Sequence, residues 1–286
     1  MKISDLSESK KTIFSFEVFP PKKNSSVDTI YSTLDELKSL SPDFISVTYG
    51  AGGSSADNIT AKIAGYIKNN LKIESVAHLT CVNNTKDDIL NILKVFKENN
   101  IDNILALRGD RNPEVEPKND FRYASDLVSF IKENGDFHVS GACYPEVHLE
   151  SKTVDDDIAN LKTKVDSGAE HLMSQLFFDN SFFYDFRDRA RKAGINVPIE
   201  AGIMPVSNKS QIERMVSMCG ASLPQKFVKM IQKYEFKPEA LRDAGIAYAV
   251  DQIVDLISNG VDGIHLYTMN NPYIARKISE AVSSLL

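Results

Sequence analysis

The chain has 286 residues, 42% of them hydrophobic and 25% charged, with a net charge of −6. That is enough apolar material for a sizeable core, and an acidic balance without any long basic run excludes nucleic acid as an expected partner. No window approaches the apolar length that spans a bilayer, and the polar start MKISDLSESKK lacks an apolar signal segment. The first β-rich run is Thr12–Phe19, followed by Phe44–Thr48 and Ile73–Leu79. Thr85-x-x-Asp88 then supplies a capping box ahead of a helix face made of Ile89, Ile92, Leu93 and Phe96. Strand runs follow at Ile104–Leu107 and His138–Ala142. Val154, Ile158, Leu161 and Val165 recur at helical spacing behind them. His171–Gln175, Val197–Ala201 and Gly263–Tyr267 complete the strands, with a helical stripe of Ile246, Val250, Ile253 and Ile257 before the last. Eight strands interleaved with helices predict an α/β chain, a (β/α)8 TIM barrel forming one domain over residues 1–286. Two stretches exceed an ordinary connection, Arg111–Phe121 and Gly220–Pro238, and predict extra loops or helices, the second of them before the last strand.

A barrel puts its chemistry at the carboxyl ends of its strands. Those ends read Glu17, VTYGAGG, HLTC, LRGD, CYPEVH, Gln175, GIMPVSN and YTMN, and polar, glycine and aromatic residues gather at every one. Strand alternation puts Phe14, Phe16 and Val18 toward the helices, and Ile13, Ser15 and Glu17 toward the barrel interior. Glu17 therefore faces the barrel mouth, and Asp110 ends another strand. Two rim carboxylates near apolar walls can hold different protonation states. The plainer alternative pairs Glu17 with Lys22 or Lys23, and Asp110 with Arg108 or Arg111.

Other features stay open on the residues alone. Gly50–Ser55 begins like a dinucleotide fingerprint, but Ser55 replaces the third glycine. His78 and His148 are either ordinary satisfied histidines or site residues. Asp157, Asn160 and Lys164 share a helix stripe that would ordinarily be a solvated face. The run Leu176–Phe186 reads mostly as core packing. Three cysteines without C-x-x-C spacing point to reduced thiols in a cytoplasm. Five histidines without H-E-x-x-H spacing point to no metal.

Nine stretches occur in order: FSFEVFPPK, SVTYGAGGSS, HLTC, LRGD, YASDLV, YPEVH, QLFFD, GIMPVSN and YTMN. Together they resemble the methylenetetrahydrofolate reductase family over essentially the whole chain. The resemblance implies a flavin barrel of the bacterial, catalytic-only form. Such a barrel binds FAD, takes a hydride from NADH or NADPH, and passes it to 5,10-methylenetetrahydrofolate to give 5-methyltetrahydrofolate. It implies Glu17 as general acid, and Asp110 as a carboxylate beside flavin and folate. Gln175 and Gln211 become substrate-binding amides. FAD or nicotinamide contacts fall on Thr48, Tyr49, Ala51, His78, Arg108, Gly109, Asp110, Tyr123, Ala124, Tyr144, His148, Asp157, Asn160 and Lys164. The chain departs from the family pattern at Met215, where an aromatic is usual, at Asn271, where Arg is usual, and at Thr163, where a basic residue is usual. The first two departures touch the folate or nicotinamide side and bear on the electron donor, the third falls at a flavin-contacting position, and some relatives take electrons from a partner protein. Two rival readings are a flavin-free barrel lyase using Glu17 and Asp110, and a non-catalytic folate- or flavin-binding barrel. Homo-oligomer formation and the choice between NADH and NADPH are not readable from the residues.

Overall fold

The computed structural model describes residues 1–21, 28–49, 59–110, 116 and 118–286. Eight parallel strands close in sequence order into a barrel: β1 (Ile13–Val18), β2 (Phe44–Val47), β3 (Glu74–Thr80), β4 (Asn103–Leu107), β5 (His138–Cys143), β6 (His171–Ser174), β7 (Ile199–Ile203) and β8 (Gly263–Tyr267). Each of the eight expected strands is present, with bounds moved by one or two residues. The helices are α1 (Ile3–Ser9), α2 (Asp28–Lys38), α3 (Ile59–Tyr66, continued by a π turn), α4 (Lys86–Glu98), α5 (Ala124–Asn134), α6 (Val154–Asp166) and α7 (Asn180–Lys192), then α8 (Lys209–Cys219), α9 (Gln225–Tyr234), α10 (Pro238–Ser258) and α11 (Pro272–Val282). α9 fills the long connection before β8, and α1 is a helix that the polar N-terminal sequence did not announce.

Among the described residues, three apolar clusters hold the fold. The largest lies between strands and helices and contains Phe14, Phe16 and Val18, as strand alternation requires. The second fills the floor of the barrel with Ile3, Ile13, Phe44, Val76, Leu105 and Met173. α1 closes this end, and the Ile3 amide donates to Asn103 Oδ1 at 3.0 Å. The third packs α8, α9 and α10 against the ends of β6 and β7 through Leu176, Phe178, Met204, Ile212, Phe227 and Leu241.

α4 forms as its residues dictate. Thr85 accepts from the Asp88 amide, Asp88 returns a bond to the Thr85 amide at 2.9 Å, and Ile89, Ile92, Leu93 and Phe96 are buried. α6 and α10 differ from their expected stripes. In α6, Ile158 and Leu161 are buried but Val154 is exposed, and Asp157 is buried because Ser151 Oγ donates to it at 2.8 Å. In α10 the fully buried line runs through Leu241, Gly245, Ala249, Ile253 and Leu256, while Ile246, Val250 and Ile257 pack at its margin. Long helices covered by two neighbours bury a wider arc than one stripe.

Candidate active site

The site begins with the interior face of β1. Ile13 lies in the floor, Ser15 in the middle, and Glu17 at the mouth. Glu17 sits level with Ser46 on β2 and Tyr267 on β8. The β1 end is pinned across the barrel seam. Thr268 Oγ1 donates to the Glu17 carbonyl at 2.6 Å, and the Asn270 side chain pairs with both the Phe19 amide and its carbonyl. Met269 and Asn270 hold left-handed backbone to make that turn, which is what the YTMN stretch encodes.

Two histidines flank the Glu17 carboxyl. His78 Nε2 lies 3.5 Å and His265 Nε2 3.6 Å from Glu17 Oε2, and neither approach is a normal hydrogen bond. Burial pushes His78 down to about 4, against the pull of Glu17, so its ring is neutral at neutral pH. Its Nε2 is buried and has no hydrogen-bond partner. Lys22, Lys23 and Arg111 lie outside the described residues. Arg108 is clamped by Glu150 in a bidentate pair at 2.5 and 2.8 Å, so the plainer alternative that paired Asp110 with Arg108 gives way to Arg108–Glu150. That hydrogen-bonded pair raises the Arg108 guanidinium further.

Above Glu17 opens a cavity of about 790 Å³. Glu17, Thr48, Tyr49, His78, Arg108, Gly109, Asp110, Tyr144, His148 and Gln175 all line it, so the strand-end reading converges on one mouth. Leu105, Leu107, Met173 and Met204 supply apolar wall. Gly109 has φ +86°, and a Cβ there would sit 3.0 Å from Thr80 Cβ, so only glycine carries β4 into the rim without strain. Tyr144 stacks edge-on against His148 at 4.6 Å, and burial pushes its hydroxyl up to about 12. Burial also raises Tyr267, whose hydroxyl donates to the Ser174 carbonyl at 2.8 Å. Gln175 Oε1 accepts from the Leu176 amide at 2.9 Å.

The remaining expected residues lie off this lining. Tyr123 and Ala124 stand at the N-terminus of α5, with Tyr123 half exposed. On α6, Asn160 is exposed, and Lys164 reaches inward to donate to the Ala142 carbonyl at 2.6 Å, its pKa lowered by burial. Gln211 opens α8, one turn before Met215, which does line the cavity. Ala51 and the Gly50–Ser55 stretch lie outside the described residues. Asn271 caps α11, accepting from the Ile274 amide, and Thr163 bonds back to the Ala159 carbonyl on exposed helix surface. Ser15, expected only as an interior-facing strand residue, and Tyr267, expected only within a strand end, join His265 and Glu200 as site residues the sequence did not single out. All four sit at interior positions of strands, and Glu200 interrupts IEAGI just as Glu17 interrupts SFEVF, so the signal was present.

A closed parallel barrel with an inward carboxyl between two histidine rings at its carboxyl-end mouth has the architecture of a barrel enzyme. A family model described as methylenetetrahydrofolate reductase matches residues 2–283. The 5,10-methylenetetrahydrofolate reductase of Pectobacterium carotovorum subsp. carotovorum is 40% identical over 264 residues, 92% of this chain and 88% of that protein. That of Escherichia coli (strain K12) is 40% identical over 257 residues, 90% of this chain and 86% of its own. Methylenetetrahydrofolate reductase (NADH) 1 of Arabidopsis thaliana is 37% identical, but only 48% of its length is covered. The chain belongs to the methylenetetrahydrofolate reductase family. Among solved structures, an uncharacterized Clostridium thermocellum protein that binds two copies of 5-methyl-5,6,7,8-tetrahydrofolic acid shares the fold at TM-score 0.68 and 14% identity, over 100% of this chain and 99% of that one.

Proposed function

We propose that this chain reduces 5,10-methylenetetrahydrofolate to 5-methyltetrahydrofolate, using FAD reduced by NADH or NADPH, with Glu17 as the general acid. The observation that carries this is the Glu17 carboxyl, loosely held between two rings at the inner end of an open, partly apolar cavity. Opening the methylene bridge of the folate requires a proton on the departing nitrogen. A protonated Glu17 delivers it, and the substrate becomes a cation. Asp110, exposed on the rim, balances the positive charge that develops there. Gln175 orients the substrate from the end of β6, and Gln211 contacts it from α8.

The residues fit a flavin. The cavity falls within the roughly 300–1,000 Å³ of small-molecule and cofactor sites, and its unpartnered His78 Nε2 offers a buried polar contact. Thr48, Tyr49, His78, Arg108, Gly109, Tyr144 and His148 would hold the cofactor, with Ala51, Tyr123, Ala124, Asp157, Asn160 and Lys164 toward its outer parts. The bound flavin supplies the hydride.

Met215 in the cavity wall, and Asn271 occupied as a helix cap, favour a second reading of the donor: an electron-transfer protein in place of a nicotinamide. The test is anaerobic. Purified protein carries yellow FAD, and the photoreduced flavin reoxidises on adding 5,10-methylenetetrahydrofolate with stoichiometric 5-methyltetrahydrofolate. Colourless protein that fails to take up FAD would sink the proposal. Reduction by NADH or NADPH in the same cuvette distinguishes the two donors.

A further inference from the structure

Beneath Glu17 lies a connected line of polar side chains that the proposed reaction does not use. Ser15 Oγ donates to Glu200 Oε2 at 2.5 Å and lies 2.7 Å from His265 Nδ1. His265 Nε2 faces Glu17 Oε2, with Ser46 Oγ at 3.3 Å. On its other side, Glu200 Oε1 touches His171 Nε2 at 2.9 Å, and His171 Nδ1 meets Ser140 Oγ at 3.1 Å. Ser15, Glu200 and His171 are fully buried, and His265 is nearly so. The groups facing Glu200 are Ser15 from β1, His171 from β6 and His265 from β8. Those facing Glu17 are Ser46 from β2, His78 from β3, and His265 and Tyr267 from β8.

A carboxylate only accepts hydrogen bonds, and a serine hydroxyl has one proton to give. With Glu200 ionised, that proton points to Glu200. Ser15 Oγ must then accept from His265 Nδ1–H, and a ring carrying that one proton has none on Nε2. A bare Nε2 accepts a proton-bearing partner and repels a lone pair, so it favours a protonated Glu17 over a carboxylate. The barrel makes room for this arrangement at Gly263, where a Cβ would fall 2.6 Å from Glu200 Cγ.

We infer that Glu200 is a positioning residue: acting through Ser15, it fixes the Nδ1–H tautomer of His265 and so holds Glu17 in its proton-bearing form. The inference rests on the reading of Glu17 as proton donor. Removing the acceptor frees the Ser15 proton to turn to His265 Nδ1 at 2.7 Å, which is nearer than the other available acceptor, the Ile264 carbonyl at 3.4 Å. The ring then carries its proton on Nε2, donates toward Glu17, and favours the carboxylate.

The test reads the tautomer directly by nitrogen NMR of 15N-histidine protein, with the His265 signal assigned by its loss in His265→Gln. Wild type shows Nδ1–H, Glu200→Met shows Nε2–H, and Glu200→Gln, which keeps an acceptor facing Ser15, restores the wild-type pattern. In Glu200→Met, folate-driven flavin reoxidation slows about tenfold, the scale of one displaced hydrogen bond near 1.4 kcal/mol, and the deficit shrinks as pH is lowered. Flavin reduction stays within twofold. If Glu200→Met does not fold, Ser15→Ala breaks the same link at the cost of one hydroxyl, and the wild-type spectrum needs only the His265→Gln assignment. An Nε2–H wild type overturns the inference. So does an unchanged tautomer in the link-breaking variant, or a switch that leaves folate-driven reoxidation undiminished. Undiminished folate reoxidation in Glu17→Gln instead removes the acid assignment, which keeps the two failures apart.

Discussion

Two acids interrupt apolar strands in this barrel, and they live under opposite conditions. Glu17 on β1 has 19% of its side chain exposed at the mouth, and its ring neighbours stand 3.5 and 3.6 Å away. Glu200 on β7 has none exposed; it accepts from Ser15 Oγ at 2.5 Å, while His171 Nε2 lies 2.9 Å from its other oxygen without a hydrogen bond between them. A group that must give up a proton on every turnover is better held loosely, because each strong bond to one protonation state costs rate in the other. A fully buried acid is better held by a fixed donor, since an uncompensated buried charge costs several kcal/mol. On the proposed reading, the same residue type in the same kind of strand takes on opposite duties according to depth.

The sharpest break of this comparison is Glu17→Gln. Folate-driven reoxidation of the flavin falls by about a hundredfold or more, the usual scale for a lost general acid, while reduction by a competent donor continues. Rapid mixing with each substrate separately measures both, and equal damage to the two halves would mean that Glu17 is only a structural partner. Asp110→Asn tests the outer rim. It keeps FAD and loses about tenfold or more in folate turnover, because a neutral amide cannot balance a developing cation; turnover at the wild-type rate counts against the assignment.

The floor should respond in stability instead of rate. Burial pushes His138 down to about 3 from an ordinary 6.5, with His171, Lys132 and Lys2 adding to the fall, and both ring nitrogens lack hydrogen-bond partners. The unfolded chain therefore binds more protons than the folded one between those values. Stability is full above about pH 6.5 and is lost as pH drops through the window, with His78 adding the same sign down to about 4. His138→Leu removes up to about 1.4 kcal/mol per pH unit of that slope. Urea unfolding at pH 7, 6 and 5 measures it, and an unchanged slope rejects the account. The smallest effect lies outside both layers. Thr85→Ala loses the α4 cap and about 1 kcal/mol of stability, leaving both half-reactions alone; thermal melts and the same rapid mixing check this pair of outcomes.

Much of the barrel is written in local patterns. Short apolar runs mark the strands, β-branched or aromatic in most of them though not in HLMS of β6, and period-two alternation along SFEV already turns Glu17 inward. The capping box of α4 is legible for the same reason, since each partner lies within four residues. Depth is what local patterns omit. The contacts of Ser15 with Glu200 and His265 join residues 185 and 250 apart, and only closure of the ring puts them together. Asp157 reads as a solvated residue because its partner Ser151 precedes the helix. Asn271 reads as a missing arginine because its capping role depends on where α11 begins. The oddity of Glu200 was as visible as that of Glu17, but no strand end drew attention to it.

The seam between β1 and β8 sets a timetable. Thr268 and Asn270 hold the Glu17 end of β1 across 251 residues of chain. At about 5–20 residues per second, a ribosome needs roughly 12–50 seconds to make that stretch. Through that time the acid-bearing strand has one edge unpaired, and the nascent chain has no working mouth. A newborn molecule is therefore silent until its last strand docks, and a chaperone that shields an open strand edge would find its target at the N-terminal end.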